Sequence, residues 1–281
     1  MIALEYQTRP SLGLHRALWG VRKRLKKGES IPEMSASLAP SQAEDAGEYN
    51  ALCGFLAGPH LPVTLPHVMA MPLHMAILTH AKMPVPALGL VHVRNRITQH
   101  KPIPVDAELS FACTCVGHRV VRSGAEIDLL TRAMVEGACF WEEVTTVLTR
   151  TVKGDGSNPI EEPPQLTQPS RSMCWRVPKD QGRQYAQVSG DFNPIHLYPL
   201  TARLFGFSRP IVHGMWTLAR CIAEMDPDPA APLEVDVEFR RPLLLPGTVL
   251  FSSTENQSGE QDFHVRSRSG KLHLFGQLRS Q

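Results

Sequence analysis

The feature that most constrains this chain is that it repeats itself. Tyr49 and Gly54, in Glu48-Tyr49-Asn-Ala-Leu-Cys-Gly54-Phe55, reappear as Tyr185 and Gly190 in Gln184-Tyr185-Ala-Gln-Val-Ser-Gly190-Asp191, an offset of 136 residues. Leu65-Pro66-His-Val68-Met69-Ala70-Met71 is similar to Arg209-Pro210-Ile-Val212-His213-Gly214-Met215 at an offset of 144. His100-Lys101-Pro102-Ile103 is similar to Arg240-Arg241-Pro242-Leu243 at 140. Any one match means little. Three in the same order at nearly one offset predict two copies of one fold.

Each copy reads as a short Tyr-bearing helix, a loop, an apolar helix and then alternating strands. The apolar helices are expected over residues 68–78 and 212–223. Residues 233–239, Leu-Glu-Val-Asp-Val-Glu-Phe, put Leu, Val, Val and Phe on one face and the acids on the other. Further strands are expected near 249–254, 262–268 and 271–278. A buried helix followed by antiparallel strands is an α+β arrangement, the sheet wrapped around the helix. Between the copies, residues 152–172 are rich in Gly, Pro, Ser and Glu, the composition of a linker. The expected organisation is an N-terminal arm (1–40), a first domain (41–151), the linker (152–172) and a second domain (173–281).

Composition excludes several classes. A net charge of +2 over 281 residues makes no phosphate-seeking field, so nucleic acid is not an expected partner. The 24 prolines predict interrupted strands and few long helices. The six cysteines form no CxxC, and Cys113 and Cys115 fall on one face of a strand, so free thiols are expected. No apolar run approaches a membrane span, and the N-terminus lacks the pattern of a secretory signal. The expected home is the cytoplasm. The arm carries Arg22, Lys23, Arg24, Lys26 and Lys27, either a solvated face or a seat for acidic groups.

Chemistry concentrates in the second half. Gly190 and Pro194 bracket a turn, with Asn193 as its initiator. Asp191 and His196 lie five residues apart across it, a carboxylate and an imidazole that one water could bridge. On spacing alone, Asp191 could equally cap the turn and His196 fill the core. Gly214 stands where a helix should begin, and its backbone N–H could receive a developing oxyanion. No HxxxH, HExxH, CxxC or Gly-rich phosphate loop occurs, so neither metal nor cofactor is expected.

The string Tyr185…Ser189-Gly190-Asp191-Phe192-Asn193-Pro194-Ile195-His196, with Arg209-Pro-Ile-Val-His-Gly-Met215 and Phe239-Arg-Arg-Pro-Leu, closely resembles the MaoC-like, or hydratase-2, family. The resemblance covers roughly residues 175–281. It implies a tandem hotdog fold and (R)-specific hydration of trans-2-enoyl thioesters, or dehydration of (R)-3-hydroxyacyl thioesters, as in fatty-acid metabolism. It assigns water activation to Asp191 and His196 and thioester-oxygen binding to the Gly214 N–H, with Asn193, Gly190, His213 and Met215 in support. From the residues themselves, Tyr185 and Phe192 are candidates for substrate contact; Arg240, Arg241 and Lys101 could meet a carrier's phosphates or be a solvated strand end, and Met69 and Met71, with Leu73, Met75 and Met83, could line an acyl chain or be ordinary core packing. Some members carry a Ser on the helix after Gly214; here Thr217 is the candidate substitute. The carrier is coenzyme A or an acyl carrier protein. A hydratase of short branched or dicarboxylic acyl-CoA, a thioester-binding protein without activity, and a homodimer of such chains stay open.

The first half is expected to be inactive. Phe55 falls where Asp191 stands, and Met69 and Ala70 where His213 and Gly214 stand. The stretch that would hold a second His196 is missing, and His60 and His67 have no acid partner in the local sequence.

Overall fold

The computed structural model describes residues 1–11, 23–26, 29–43, 46–152, 166, 169–256 and 259–280. Arg22, Lys27 and most of the expected linker lie outside this set. Strand β1 is Ile2–Tyr6 and β2 is Met34–Gln42. Helices α1 (Gly47–Cys53) and α2 (Leu65–Leu78) follow, then β3 (Val91–Gln99), β4 (Glu108–Val121), β5 (Gly124–Val135) and β6 (Ala138–Thr149). The second half begins with β7 (Arg171–Val177) and α3 (Gln181–Ser189). Next are a 3-10 turn (Pro194–His196), α4 (Pro199–Leu204) and α5 (Gly214–Met225). Strands β8 (Leu233–Phe239), β9 (Gly247–Glu255), β10 (Gln261–Ser267) and β11 (Leu272–Ser280) complete it.

The strands form one sheet in the order β1-β2-β4-β5-β6-β3-β8-β11-β10-β9-β7. Apart from the extra β1, this order is palindromic about the β3–β8 seam: β6 answers β11, β5 answers β10, β4 answers β9 and β2 answers β7. All neighbours are antiparallel except β1 and β2. At the seam, Arg94 faces Glu238 and Gln99 faces Leu233. The boundary expected at residue 40 falls inside β2, so the end of the expected arm is a sheet strand.

The helices lie against the inner faces of the sheet's two halves. In α2 all but Met71 and Met75 are buried, and the helix is apolar except for His67 and His74, two turns apart on one side. Pro66 opens α2, where its missing N–H costs nothing. Helix α5 is amphipathic and ends at Asp226, in the left-handed region with φ 51°. The halves also meet through helices: Trp216 Nε1 donates to the Leu52 carbonyl at 3.2 Å. All six cysteines are free, and Cys113 and Cys115 are buried on one face of β4. No described helix is long and apolar enough to cross a membrane.

Two of the three sequence repeats have matching hydrogen bonds. Gly54 N–H caps α1 at Asn50 O and Gly190 N–H caps α3 at Ala186 O, both glycines left-handed. The N–H groups of His100 and Lys101 donate to Phe140 O as those of Arg240 and Arg241 donate to His273 O. The middle match is out of register. Leu61 N–H donates to Ile103 O where Val212 N–H donates to Leu243 O, so the true offset there is 151. Pro62 and Val63, not Met69 and Ala70, occupy the places of His213 and Gly214. Pro66 and Pro210 are not equivalent, because each copy places a proline near this helix for its own reason: Pro66 inside the first turn, Pro210 in the approaching strand-like segment.

Candidate active site

Helix α3 stops at Gly190, whose φ of 72° a side chain would resist. The chain then folds back on itself. Asn193 N–H donates to Asp191 Oδ1 at 3.1 Å, and the Asn193 side chain accepts from Ile195 N–H as the cap of the 3-10 turn. Asn193 therefore shapes the loop. This turn carries His196 back toward Asp191. Gly182, on α3, faces the turn so closely that a Cβ there would lie 2.2 Å from the His196 carbonyl oxygen. Glycine is what lets helix and turn touch.

His196 Nδ1 donates to the Ile211 carbonyl at 2.8 Å. That fixes the tautomer and leaves Nε2 as an acceptor. It lies 3.9 Å from Asp191 Oδ2, too far for a direct hydrogen bond. One oxygen placed about 2.8 Å from each atom would span that gap with an angle of about 90°. The Asp191 side chain is 31% exposed, open to the cavity that it lines.

His213 stacks on His196 with ring centroids 3.6 Å apart, and Tyr185 leans on His213 at 4.9 Å. His213 Nε2 donates to the Asp191 backbone carbonyl at 2.9 Å and lies 3.6 Å from Oδ2. Its buried Nδ1 finds no partner. Burial drives the imidazole of His213 down to about 3, and burial also lowers that of His196, so both rings are neutral near pH 7. Burial pushes the Asp191 carboxyl up, but His213, His196 and the Asn193 N–H outweigh it and hold the group below the usual carboxylate range. The site thus presents an ionised carboxylate and a neutral imidazole as two acceptors.

Gly214 opens α5, where N–H groups have no intrahelical acceptor. A Cβ on Gly214 would lie 2.9 Å from the Phe239 ring. The Thr217 hydroxyl donates to the His213 carbonyl at 3.2 Å, so it holds the helix start rather than the acid–base pair.

These groups line one cavity of about 440 Å³ shared by both halves. Asp191, Asn193, His196, His213, Gly214, Met215, Tyr185, Arg240, Arg241 and Met71 all line it. Gly190, Phe192 and Met69 do not; Gly190 acts through the turn, and Met69 is packed in the core. Arg240 is engaged by Glu238 at 2.9 Å.

The first half contributes what sequence reading missed. His67, His74 and His92 line the same cavity. His67 does have an acid partner: its Nδ1 lies 2.9 and 3.0 Å from the two Glu143 oxygens, across 76 residues of sequence. The signal was present in β6, where Trp141, Glu143, Thr145 and Val147 alternate and Trp141 faces the core, so Glu143 must face it too. His67, His74 and Glu143, and separately Asp191, His196 and His213, each bring three ligand atoms within 4.8 Å of one another, enough to hold a cation.

The MaoC like domain family matches residues 155–269. A 3-hydroxyacyl-thioester dehydratase X of Mycobacterium tuberculosis is 31% identical over 280 residues, covering 97% of this chain and 99% of that protein. The peroxisomal enoyl-CoA hydratase 2 of Arabidopsis thaliana is 27% identical over 49% of this chain and 52% of its own length. The crystal structure of HtdX of M. tuberculosis superposes with a TM-score of 0.76 at 30% identity, covering 88% of this chain and all of that one. A MaoC-like dehydratase from Phytophthora capsici, at 17% identity and a TM-score of 0.72, shares the fold. The 31% identity to a dehydratase along nearly the whole of both chains, with the family match over residues 155–269, shows that this chain belongs to the MaoC-like dehydratase family.

Proposed function

We propose that this protein adds water to trans-2-enoyl thioesters and removes it from (R)-3-hydroxyacyl thioesters, without metal or cofactor. The observation that carries the reading is the pair of acceptors 3.9 Å apart, Asp191 Oδ2 and His196 Nε2, facing one cavity beside a helix start. A water between them donates one hydrogen to each, which turns its lone pairs toward the substrate. His196 Nε2 takes one proton as the water oxygen bonds to C3. Asp191 holds the other hydrogen and stabilises the imidazolium. Electron density moves to the thioester oxygen, where the Gly214 N–H receives it. The proton then passes from His196 to C2 on the same face, and the neutral imidazole is restored. Dehydration runs these steps backward.

The first half supplies cavity wall and no second water site. Its connection from α1 to α2 lacks any counterpart of the 3-10 turn and α4, and Phe55 stands at the Asp191 position. Arg240 and Arg241 at the cavity support a phosphate-bearing carrier, coenzyme A or a carrier-protein arm. The test is loss of conjugated-enoyl ultraviolet absorbance with crotonyl-CoA and decenoyl-CoA. Asp191→Asn should lower turnover by about 10²–10⁴. Near wild-type turnover in that variant would sink the mechanism.

A further inference from the structure

The cavity does not end at the water site. It is lined too by Met71, Met75 and Leu78 of α2 and by His67, His74 and His92, which belong to a polar cluster that the mechanism does not use. Glu143 has a fully buried side chain. It accepts from His67 Nδ1 and, at 2.8 Å, from Asn95 Nδ2. His74 Nε2 lies 2.8 Å from the Thr131 hydroxyl. His92 stacks on His67 with centroids 5.7 Å apart, and its Nε2 is buried without a partner.

The catalytic half differs at the equivalent positions. The matched hydrogen bonds of Phe140 and His273 put Gly276 at the Glu143 position, and the offset of 140 between the matched donors His100 and Arg240 puts Val235 at the Asn95 position. A hotdog half therefore closes its core without these polar groups. Burying a carboxylate and its partners is expensive when apolar residues would serve. Here His67, His74 and His92 line the cavity beside Met71 and Met75, and His67, with Nδ1 spent on Glu143, has only Nε2 left to offer.

We propose that this cluster recognises a hydroxyl group on the acyl chain, beyond the carbons that react. The inference rests on the thioester reading and names its substrate class. A hydroxyl is donor and acceptor at once: it can donate to His67 Nε2, which the Nδ1 bond to Glu143 leaves as an acceptor, and accept from His92 Nε2 when that nitrogen carries the ring proton. A methylene can pair with neither and leaves a buried nitrogen unmatched.

The test is calorimetric binding of saturated acyl-CoA thioesters to the whole protein. A series of equal chain length carries one hydroxyl at successive carbons from C4 outward and is compared with the unsubstituted chain. One member should bind about 10-fold more tightly than the plain chain, the worth of one to two net hydrogen bonds. In His67→Phe/Glu143→Leu, which removes both members of the buried pair, the preference should fall to within about 2-fold. No hydroxylated member binding better than its parent in the wild type would overturn the inference, and that comparison needs no variant to fold. A preference that survives in the folded double variant would overturn it too. Crotonyl-CoA turnover, measured on the same preparation, reports separately on the hydratase reading. Absent turnover with a clear hydroxyl preference would refute the reaction and support the recognition site.

Discussion

Gly214→Ala isolates the helix start from the acid–base pair. The added Cβ would lie 2.9, 3.0 and 3.2 Å from three atoms of the Phe239 ring, tighter than side chains tolerate. Phe239 rests against His92, with centroids 5.0 Å apart, so it has little room to retreat. Overpacking of this kind costs about 1–3 kcal/mol. Alanine's helix preference over glycine offsets up to about 1 kcal/mol. The net loss should be about 0–2 kcal/mol, a fall of no more than several degrees in melting temperature for a chain this size. Activity should suffer more. A methyl at the N–H that receives the thioester oxygen shifts the acyl group by up to about 1 Å, which can cost about 10²-fold. The assays are kcat/KM for crotonyl-CoA and thermal unfolding of the same sample. In Gly214→Ala/Phe239→Leu the ring is gone, and kcat/KM should recover by at least about 10-fold if the clash is the cause. Wild-type kcat/KM in Gly214→Ala would refute an oxyanion site at the start of α5.

The proposed mechanism requires His196 neutral, and burial lowers its pKa below the ordinary 6.5, so kcat/KM should stay level at neutral pH and fall only on the acid side of about 6.5; an acid limb centred above pH 7 would contradict this. Gly182→Ala drives a Cβ toward main chain at 2.2 Å, so a loss of at least about 2 kcal/mol by denaturant unfolding is expected, together with reduced turnover. Glu143→Leu alone strands His67 and should cost about 3–5 kcal/mol, whereas the double change with His67→Phe should recover most of it; equal losses would show that the pair is not coupled.

The site was largely legible because it is local. Asp191, Asn193, Pro194 and His196 sit on one turn, and each residue's part follows from short-range chemistry: a left-handed glycine, an Asx cap, a proline at the first helical position. The α+β architecture followed from the repeats and the alternation of β8. What sequence did not yield is long-range. His67 and Glu143 are 76 residues apart, and only the sheet register brings them together. Met69 and Met71 look alike in sequence, yet one faces the core and the other the cavity, because two residues on a helix point about 200° apart. The repeat of the central helix was misaligned because composition, Pro before small apolar residues, carried more weight than the strand contact that sets the register.

The β3–β8 seam has one more consequence. Six backbone positions on each strand, from Arg94 and Glu238 to Gln99 and Leu233, hold together the two walls of the cavity within one chain. The second wall arrives by chain connection, at an effective concentration that bulk dilution does not alter. Turnover per chain should therefore stay constant on dilution as far as this seam is concerned. One wall can also change without its mirror image changing, which is how a buried carboxylate came to sit opposite a glycine.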